Sequence, residues 1–235
     1  KDINIYGAGT TVESSLTRNQ QTTYYDDYSD SNLWTDEGND VTITGGVASF
    51  VTADGGTDNR AYTDLGTPLS DTFSMVMKYS QSANSGGGSN WYMIISDGTS
   101  HPAYSDHDAV NIYMNTGNQS CAPVSRDAGD GANGWTWHTN SGSGNCYTQG
   151  TDYWFLLQKD GADWIFSTYD NEALTGTPFW TTSFTEDSDG VSGKLEGLQY
   201  VHHATATDGT TSATTTTQID DLRIWDGFAS PPDAA

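Results

Sequence analysis

Short stretches of alternating apolar and polar residues recur along the chain. In FSMVMKYS, residues 73–80, every second side chain is Phe, Met or Tyr, and these fall on one face of an extended backbone. This period of two predicts a strand with one buried face. Further strands are predicted at residues 41–52, as a hairpin across Gly45-Gly46, and at 91–96, 109–114, 153–158, 163–169, 197–202 and 218–225.

Turn-forming residues separate these strands. The segment KDGAD, residues 159–163, joins two apolar strands through the Asp-Gly step that tight hairpins favour. No helical pattern of ten residues interrupts the strands, and no fixed-period repeat indicates a propeller or solenoid. The pattern therefore predicts an all-β sandwich.

The 235 residues are enough for one large sandwich and few for two domains with a linker. Residues 1–23 open with two alternating isoleucines and then become polar, which indicates an extended N-terminal arm and a possible strand donor. The sandwich is predicted to span residues 24–228. Residues 229–235 contain two consecutive prolines, so we expect them to leave the domain as a C-terminal tail.

Four sequence features carry a family resemblance. They are an acidic segment with the Leu33-Trp34 pair, the segment VTITGGVASFVT at 41–52, the stretch DNRAYTDLGTPLSDTFSMVMKY at 58–79, and the closing IDDLRIWDG at 219–227. Together they resemble the laminin-G-like/concanavalin A-like jelly-roll superfamily, and they are similar to sandwich domains of archaeal and bacterial surface proteins. The resemblance covers residues 25–228 and implies a jelly roll. It leaves function open, because lectins, carbohydrate-binding modules, adhesins, glycosidases and lyases share this fold.

The resemblance also implies a structural calcium ion where the first and last strands meet. The matching positions are Asp26, Asp27, Asp220 and Asp221. One member of an adjacent pair on a strand points inward, and a buried carboxylate needs a cation or several hydrogen-bond donors. Solvated acids at a sheet edge are the alternative.

Acidic residues dominate the charge of the chain. Eight Lys and Arg stand against 31 Asp and Glu, which gives a formal net charge of −23. Such a field repels nucleic-acid phosphates and anionic membrane surfaces, so nucleic acid is excluded as a partner. No apolar run is long enough to predict a membrane span.

The only two cysteines, Cys121 and Cys146, flank a segment rich in Gly, Asn and Ser. Their spacing is unlike that of metal or redox pairs, so we predict a disulfide. Disulfides persist in oxidising compartments, which indicates an extracellular or cell-surface location. Asn118 starts a glycosylation sequon just before this segment, which is consistent with that location.

Aromatic residues beside polar ones suggest carbohydrate recognition, because sugars stack on aromatic rings through their C–H faces. Filling of the core is the alternative for each of them. The candidates are Trp91, Tyr92, Tyr104, Trp135, Trp137 and His138.

Catalytic motifs are missing from the sequence. The Glu-x-Asp element that precedes the second catalytic glutamate of laminarinase-type glycosidases does not occur, and neither does Gly-x-Ser-x-Gly. A polysaccharide lyase needs a Tyr or His base with a cation, and eight Lys and Arg leave few options. We therefore expect no enzymatic activity.

Two functions remain. The first is a structural or adhesive subunit of a cell surface or extracellular filament, in which residues 1–23 add to the sheet edge of another copy of the chain. The alternative is a carbohydrate-binding module or lectin-like domain that binds surface glycans through exposed aromatic side chains.

Overall fold

A computed structural model describes ten stretches of the chain: residues 23–36, 41–52, 59–84, 89–99, 107–115, 119–127, 136–138, 145–186, 194–207 and 215–232. The predicted arm lies outside these stretches except for its last residue, Thr23. The arm's proposed role in self-association is therefore not supported by the structure.

The described residues form fifteen β-strands and one short 3-10 helix, Ser31–Leu33. The strands are β1 (Tyr24–Asp26), β2 (Thr35–Asp36), β3 (Val41–Thr44), β4 (Val47–Thr52), β5 (Asn59–Asp64), β6 (Thr72–Asn84), β7 (Ser89–Ser96), β8 (Ala109–Asn115), β9 (Ser120–Arg126), β10 (Thr136–Trp137), β11 (Tyr153–Asp160), β12 (Asp163–Tyr169), β13 (Trp180–Thr185), β14 (Tyr200–Thr207) and β15 (Thr215–Asp226). No helix among the described residues is long and apolar enough to cross a membrane.

The strands form two antiparallel sheets. The eight-stranded sheet has the order β13-β12-β11-β6-β15-β4-β3, and β1 pairs with β15 beside this path. The seven-stranded sheet has the order β10-β9-β8-β7-β14-β5-β2. Strands distant in the sequence are neighbours in both sheets, and the predicted all-β sandwich is confirmed.

The core lies between the sheets and is built from alternate residues of each strand. On β6, the predicted apolar face from Phe73 to Tyr79 is buried, while Lys78 between these positions points outward. On β8 of the other sheet, Val110 and Ile112 are buried in the same core. Each such side chain contributes about 1.5–3 kcal/mol by leaving water, which explains why strand alternation determines the fold.

Two predicted turns are present. Gly161, with a φ of 61°, lies between β11 and β12, whose register closes with Asp160 opposite Asp163. Gly45 and Gly46 have φ values of 63° and 84° and join β3 to β4. Glycine suits both turns because positive φ angles cost it no steric strain.

One charged pair is buried in the interior. Lys159, on the inward face of β11, donates from Nζ to Glu186 Oε1 at 2.7 Å, and both residues are 2% exposed. Trp164 Nε1 donates to the same oxygen at 2.7 Å, and its ring lies 4.8 Å from the Lys159 Nζ atom. These contacts offset the cost of burying two charges.

Candidate functional site

A continuous row of side chains crosses the seven-stranded sheet on the face directed away from the core. Residues directly opposite one another in neighbouring strands lie on the same face. The register makes the row Tyr62, His202, Ile94, Asn111, Val124 and Trp137, from β5 across to β10. Their neighbours along the strands, such as Ile95 and Val201, belong to the core.

Parallel rows on either side complete this surface. One contains Arg60 and Tyr113, and the other contains Tyr200 and Arg126. We call this set the outer face, which comprises Arg60, Tyr62, Ile94, Asn111, Tyr113, Val124, Arg126, Trp137, Tyr200 and His202. All of them except Tyr62, Tyr113, Trp137 and Tyr200 are buried, and the acid Asp64 lies opposite Tyr200. Five strand spacings separate β5 from β10, so the outer face is about 24 Å wide across the strands.

An aromatic pair stands at one end of the outer face. Trp137 is 50% exposed, and its ring meets that of Tyr113 edge to face, with centroids 5.0 Å apart. This contact orients the indole while leaving half of it open to solvent. A flat, exposed, oriented ring is suited to stacking on the apolar face of a sugar.

A second group of rings lies at the opposite end. The Tyr62 ring is 5.5 Å from His202 and 6.3 Å from Tyr200, centroid to centroid. The guanidinium carbon of Arg60 lies 5.8 Å from the centre of the Tyr62 ring. Burial lowers the pKa of Arg60, but a guanidinium stays protonated at neutral pH.

His202 is buried and held by two oxygen atoms. Its Nε2 lies 2.8 Å from Ser96 Oγ and 3.1 Å from the Gly98 carbonyl, and Ser96 Oγ donates to that carbonyl at 2.9 Å. A carbonyl only accepts, so this arrangement favours the tautomer with hydrogen on Nε2. The lone pair of the neutral ring is then on Nδ1.

Asn111 occupies the centre of the outer face on β8. Its side chain is 4% exposed, and its Oδ1 atom has no hydrogen-bond partner among the described residues. Leaving a buried carbonyl unsatisfied costs about 1–3 kcal/mol, so such atoms call for an explanation. Because Oδ1 is itself buried, a ligand hydroxyl group could donate to it only if the covering residues moved.

The central strands of this sheet contain no acid. None of the residues in β7, β8, β9 or β14 is Asp or Glu, although the chain has 31 of them. These four strands therefore do not provide the two carboxylates that most glycosidases use.

The predicted carbohydrate-binding residues lie in different environments. Trp137 is exposed as expected. His138 is instead buried at 6% exposure, stacked on Phe184 at 3.8 Å and hydrogen-bonded to Ser125 Oγ at 2.7 Å, so its ring serves the interior and is not presented to a ligand. The side chains of Trp91 and Tyr92 in β7, together with Tyr104, Trp135 and the sequon residue Asn118, lie outside the described parts of the structure.

The first and last strands meet as predicted, because β1 pairs with β15. Asp26 is 2% exposed, and its two carboxylate oxygens accept from Tyr28 N at 2.7 Å and Trp34 Nε1 at 2.5 Å. Protein donors therefore satisfy this buried acid. Asp27 accepts from the backbone of Ser29 at 3.0 Å.

The acids of β15 lie at a β-bulge between Asp220 and Arg223. Asp221 has a φ of 58° and forms an ion pair with Arg223, which also binds Glu172 at 2.9 Å. Burial raises the pKa of Asp220, while Lys78 opposes that shift. No group of three or more metal-ligating side chains occurs among the described residues, which include the four predicted acids.

The predicted disulfide between Cys121 and Cys146 is present, with Cα atoms 5.7 Å apart. Cys121 lies on β9, opposite Met114, and both cysteines are buried in the core. A link across 25 residues stabilises the fold by about 3.5 kcal/mol through the lost freedom of the unfolded chain.

No protein-family model matches the chain, and no curated protein matches it in sequence. Solved structures match its fold. The laminarinase catalytic domain of Thermotoga petrophila aligns with a TM-score of 0.61 at 10% identity, covering 88% of this chain and 98% of that one. The calcium-bound lumenal domain of VIP36 aligns with a TM-score of 0.62 at 10% identity, covering 91% and 95%. The Crh5 transglycosylase in complex with NAG has a TM-score of 0.59 at 13% identity, covering 88% and 85%.

These neighbours establish the fold. It is a concanavalin A-like jelly roll. They do not show the laminin-G-like part of the resemblance or its link to surface proteins. They overturn the expectation that the chain has no enzymatic activity, because laminarinases, an O-glycanase and a transglycosylase share this fold. That expectation rested on missing motifs alone, and missing motifs do not exclude catalysis on a fold that supports it.

Sequence reasoning missed the centre of the outer face. Arg60, Asn111 and His202 were not among the predicted carbohydrate-binding residues, because they lie on three different strands and no short motif links them. The available signal was alternation. A polar residue such as Asn111, between the apolar residues Val110 and Ile112, is at an outward position of a strand whose other face is core.

Proposed function

We propose that this chain is a glycan-binding domain that holds a carbohydrate chain against Trp137, at the β10 end of its seven-stranded sheet. The observation that carries the proposal is the Trp137 ring, which is half exposed and held edge to face against Tyr113. Such a ring offers the stacking surface that the apolar face of a sugar needs.

The solved neighbours support this proposal. VIP36 is known bound to calcium and Man3GlcNAc, the laminarinase acts on a 1,3-beta-glucan, and the Crh5 transglycosylase binds NAG. The disulfide fits a secreted or lumenal domain. The structural or filament role lacks comparable support.

Substitution of Trp137 tests the proposal. A glycan array identifies a ligand for the native protein, and titration calorimetry then compares the native protein with Trp137→Ala. Loss of the stacking ring should weaken binding about 5- to 30-fold, as expected for 1–2 kcal/mol. Phe228→Ala is the matched control, because Phe228 is 49% exposed but follows β15 in the other sheet.

Equal affinity of Trp137→Ala and native protein would contradict the proposed site. An array without any binding would contradict the proposed function itself. Because several of the structural neighbours are enzymes, each bound glycan is also analysed by chromatography after incubation with the protein. This measurement shows whether the glycan is cleaved or transferred.

A structural calcium ion near Asp27 and Asp220 remains a proposal. The VIP36 neighbour binds calcium, and Asp27 adds a repulsive charge that helps to raise the pKa of Asp220. Asp26 and Asp221 already have protein partners, so a bound ion would draw on the other two acids and on backbone carbonyls.

A further inference from the structure

We propose that His107, oriented by Asp97, is a general base that hydrolyses acyl esters on the bound glycan. This inference rests on the proposed glycan-binding function and adds an activity and a substrate class to it. It comes from an imidazole–carboxylate pair at one end of the seven-stranded sheet, on the same face as Trp137.

His107 continues the outward-facing positions of β8, which begins two residues later. The register of β7 and β8 extends beyond both strands, because the Asp97 amide donates to the Asp108 carbonyl at 3.1 Å. This register places His107 opposite Gly98. Alternate residues of a strand share a face, so His107 lies on the side of the sheet that carries Trp137.

Gly98 determines where the His107 ring lies. A Cβ atom at residue 98 would come within 2.1 Å of His107 Cε1, so the ring packs directly against backbone that only glycine leaves open. The Gly98 carbonyl in turn accepts from Ser96 Oγ at 2.9 Å. The backbone beneath the imidazole is therefore held by the sheet.

Asp97 orients the imidazole from its other side. Its Oδ1 atom lies 2.9 Å from His107 Nδ1, and the side chains of Asp97 and His107 are 32% and 24% exposed. A carboxylate only accepts, so it favours the tautomer with hydrogen on Nδ1 and leaves the lone pair on Nε2. Within the described parts of the chain, Nε2 has no hydrogen-bond partner.

This pair is suited to general-base catalysis. An imidazole titrates near neutral pH, and the open Nε2 atom can accept a proton from a water molecule beside it. Cleavage of a glycosidic bond by the common mechanism needs two carboxyl groups, whereas the Asp97 carboxylate is bound to His107. Hydrolysis of an ester by water needs one acid–base group. An O-acyl group of the glycan is therefore the substrate that this pair fits.

Water is the only co-reactant of the proposed step. Its oxygen attacks the acyl carbon while His107 Nε2 takes one of its protons, and Asp97 stabilises the imidazolium that forms. The bond between the acyl carbon and the sugar oxygen then breaks, and His107 returns the proton to that oxygen. The products are a carboxylic acid and a free sugar hydroxyl group.

The substrate should be an oligosaccharide. His107 and Trp137 are two strand spacings and four residues apart, which places their Cα atoms about 16 Å from each other. The sugar that stacks on Trp137 is therefore not the sugar that carries the ester, and a chain of several sugars is needed to contact both side chains.

Hydrolysis of two acetyl esters tests the inference: chemically O-acetylated laminarin, and p-nitrophenyl acetate, which needs no glycan site. His107→Gln should lower kcat on both esters about 100- to 10,000-fold. Asp97→Asn should lower kcat about 10- to 100-fold with KM unchanged, because the ring loses its orienting partner. It should also move the pH–rate profile to lower pH, because the protonated imidazole loses its counter-charge. A merely structural role of Asp97 would not move that profile.

Asp152→Asn is the matched control, because it removes an exposed carboxylate that pairs with Lys78 of the other sheet, and it should leave both rates unchanged. Circular dichroism verifies folding of every variant. Equal rates in native protein and His107→Gln, or no ester hydrolysis by native protein, overturns the inference and leaves glycan binding at Trp137 intact. Hydrolysis of p-nitrophenyl acetate that depends on His107, in a protein that binds no glycan, supports the general base and overturns the proposed glycan-binding function instead.

Discussion

Replacing Glu186 with Gln should destabilise the protein strongly, because it removes the only counter-charge that the described structure places beside the buried Lys159 ammonium. Glu186 Oε1 accepts from Lys159 Nζ and from Trp164 Nε1, both at 2.7 Å, and the remaining contact of Nζ is the Leu195 carbonyl at 3.3 Å. Breaking a buried ion pair by removing one partner costs about 3–5 kcal/mol. For a chain of this length the loss lowers Tm by about 6–20 °C.

The double variant Lys159→Met/Glu186→Gln tests whether the unpaired charge causes this loss of stability. Methionine replaces the aliphatic stem without a charge, and the Gln carbonyl still accepts from Trp164 Nε1. The double variant should therefore be more stable than Glu186→Gln alone, since no buried charge is left unpaired. Urea unfolding followed by circular dichroism measures the free energy of unfolding of each variant.

Asp152→Asn is the matched surface control. Its ion pair with Lys78 has the same kind of charges, but the two side chains are 49% and 30% exposed, so its loss should cost at most about 1 kcal/mol. Equal stability of Glu186→Gln and the control would contradict this prediction, and so would a double variant that is no more stable than Glu186→Gln.

The remaining predictions concern pH and calcium. Burial lowers the pKa of His203 to about 3 from 6.5, and the Nε2 atom of this residue lies 2.8 Å from Tyr28 Oη. As the pH drops below 6.5, His203 is protonated in the unfolded state before it is protonated in the folded state. The free energy of unfolding should therefore fall by up to about 1.4 kcal/mol per pH unit. Urea unfolding at several pH values measures this slope, and an equal slope in His203→Gln would contradict the assignment. If calcium binds at Asp27 and Asp220, adding calcium to chelator-treated protein at a concentration about 100 times Kd should stabilise the fold by about 2.7 kcal/mol. Asp220→Asn should reduce that stabilisation. Calorimetric scans with and without calcium measure it, and an unchanged Tm would exclude a structural ion.

The strands were predictable because burial of one face imposes its own period on the sequence. The apolar positions of FSMVMKYS and the Asp-Gly turn at 160–161 each carry local information, and both appear as expected. The closing segment IDDLRIWDG was correctly taken as the last strand, and its pairing with β1 followed. These features depend on a few neighbouring residues, so one sequence contains them.

Partner choice was harder to predict than burial. One acid of an adjacent pair was expected to point inward and to need a cation or several donors, and Asp26 is buried in this way. The sequence did not show that Trp34 and the backbone of Tyr28 supply those donors. The same holds for His138, whose polar neighbours suggested exposure while the fold stacks it on Phe184.

The outer face explains why absent motifs were weak evidence against catalysis. Its central row takes one residue from each of six strands, from Tyr62 to Trp137, and the strand order β10-β9-β8-β7-β14-β5 brings them together. In an antiparallel sheet, adjacent residues of one strand face opposite sides, so a surface site leaves only isolated residues in the sequence. Since β7, β8, β9 and β14 contain no carboxylate, a carboxylate acting on this face must come from a neighbouring strand or loop; Asp64 of β5, opposite Tyr200, is one such residue.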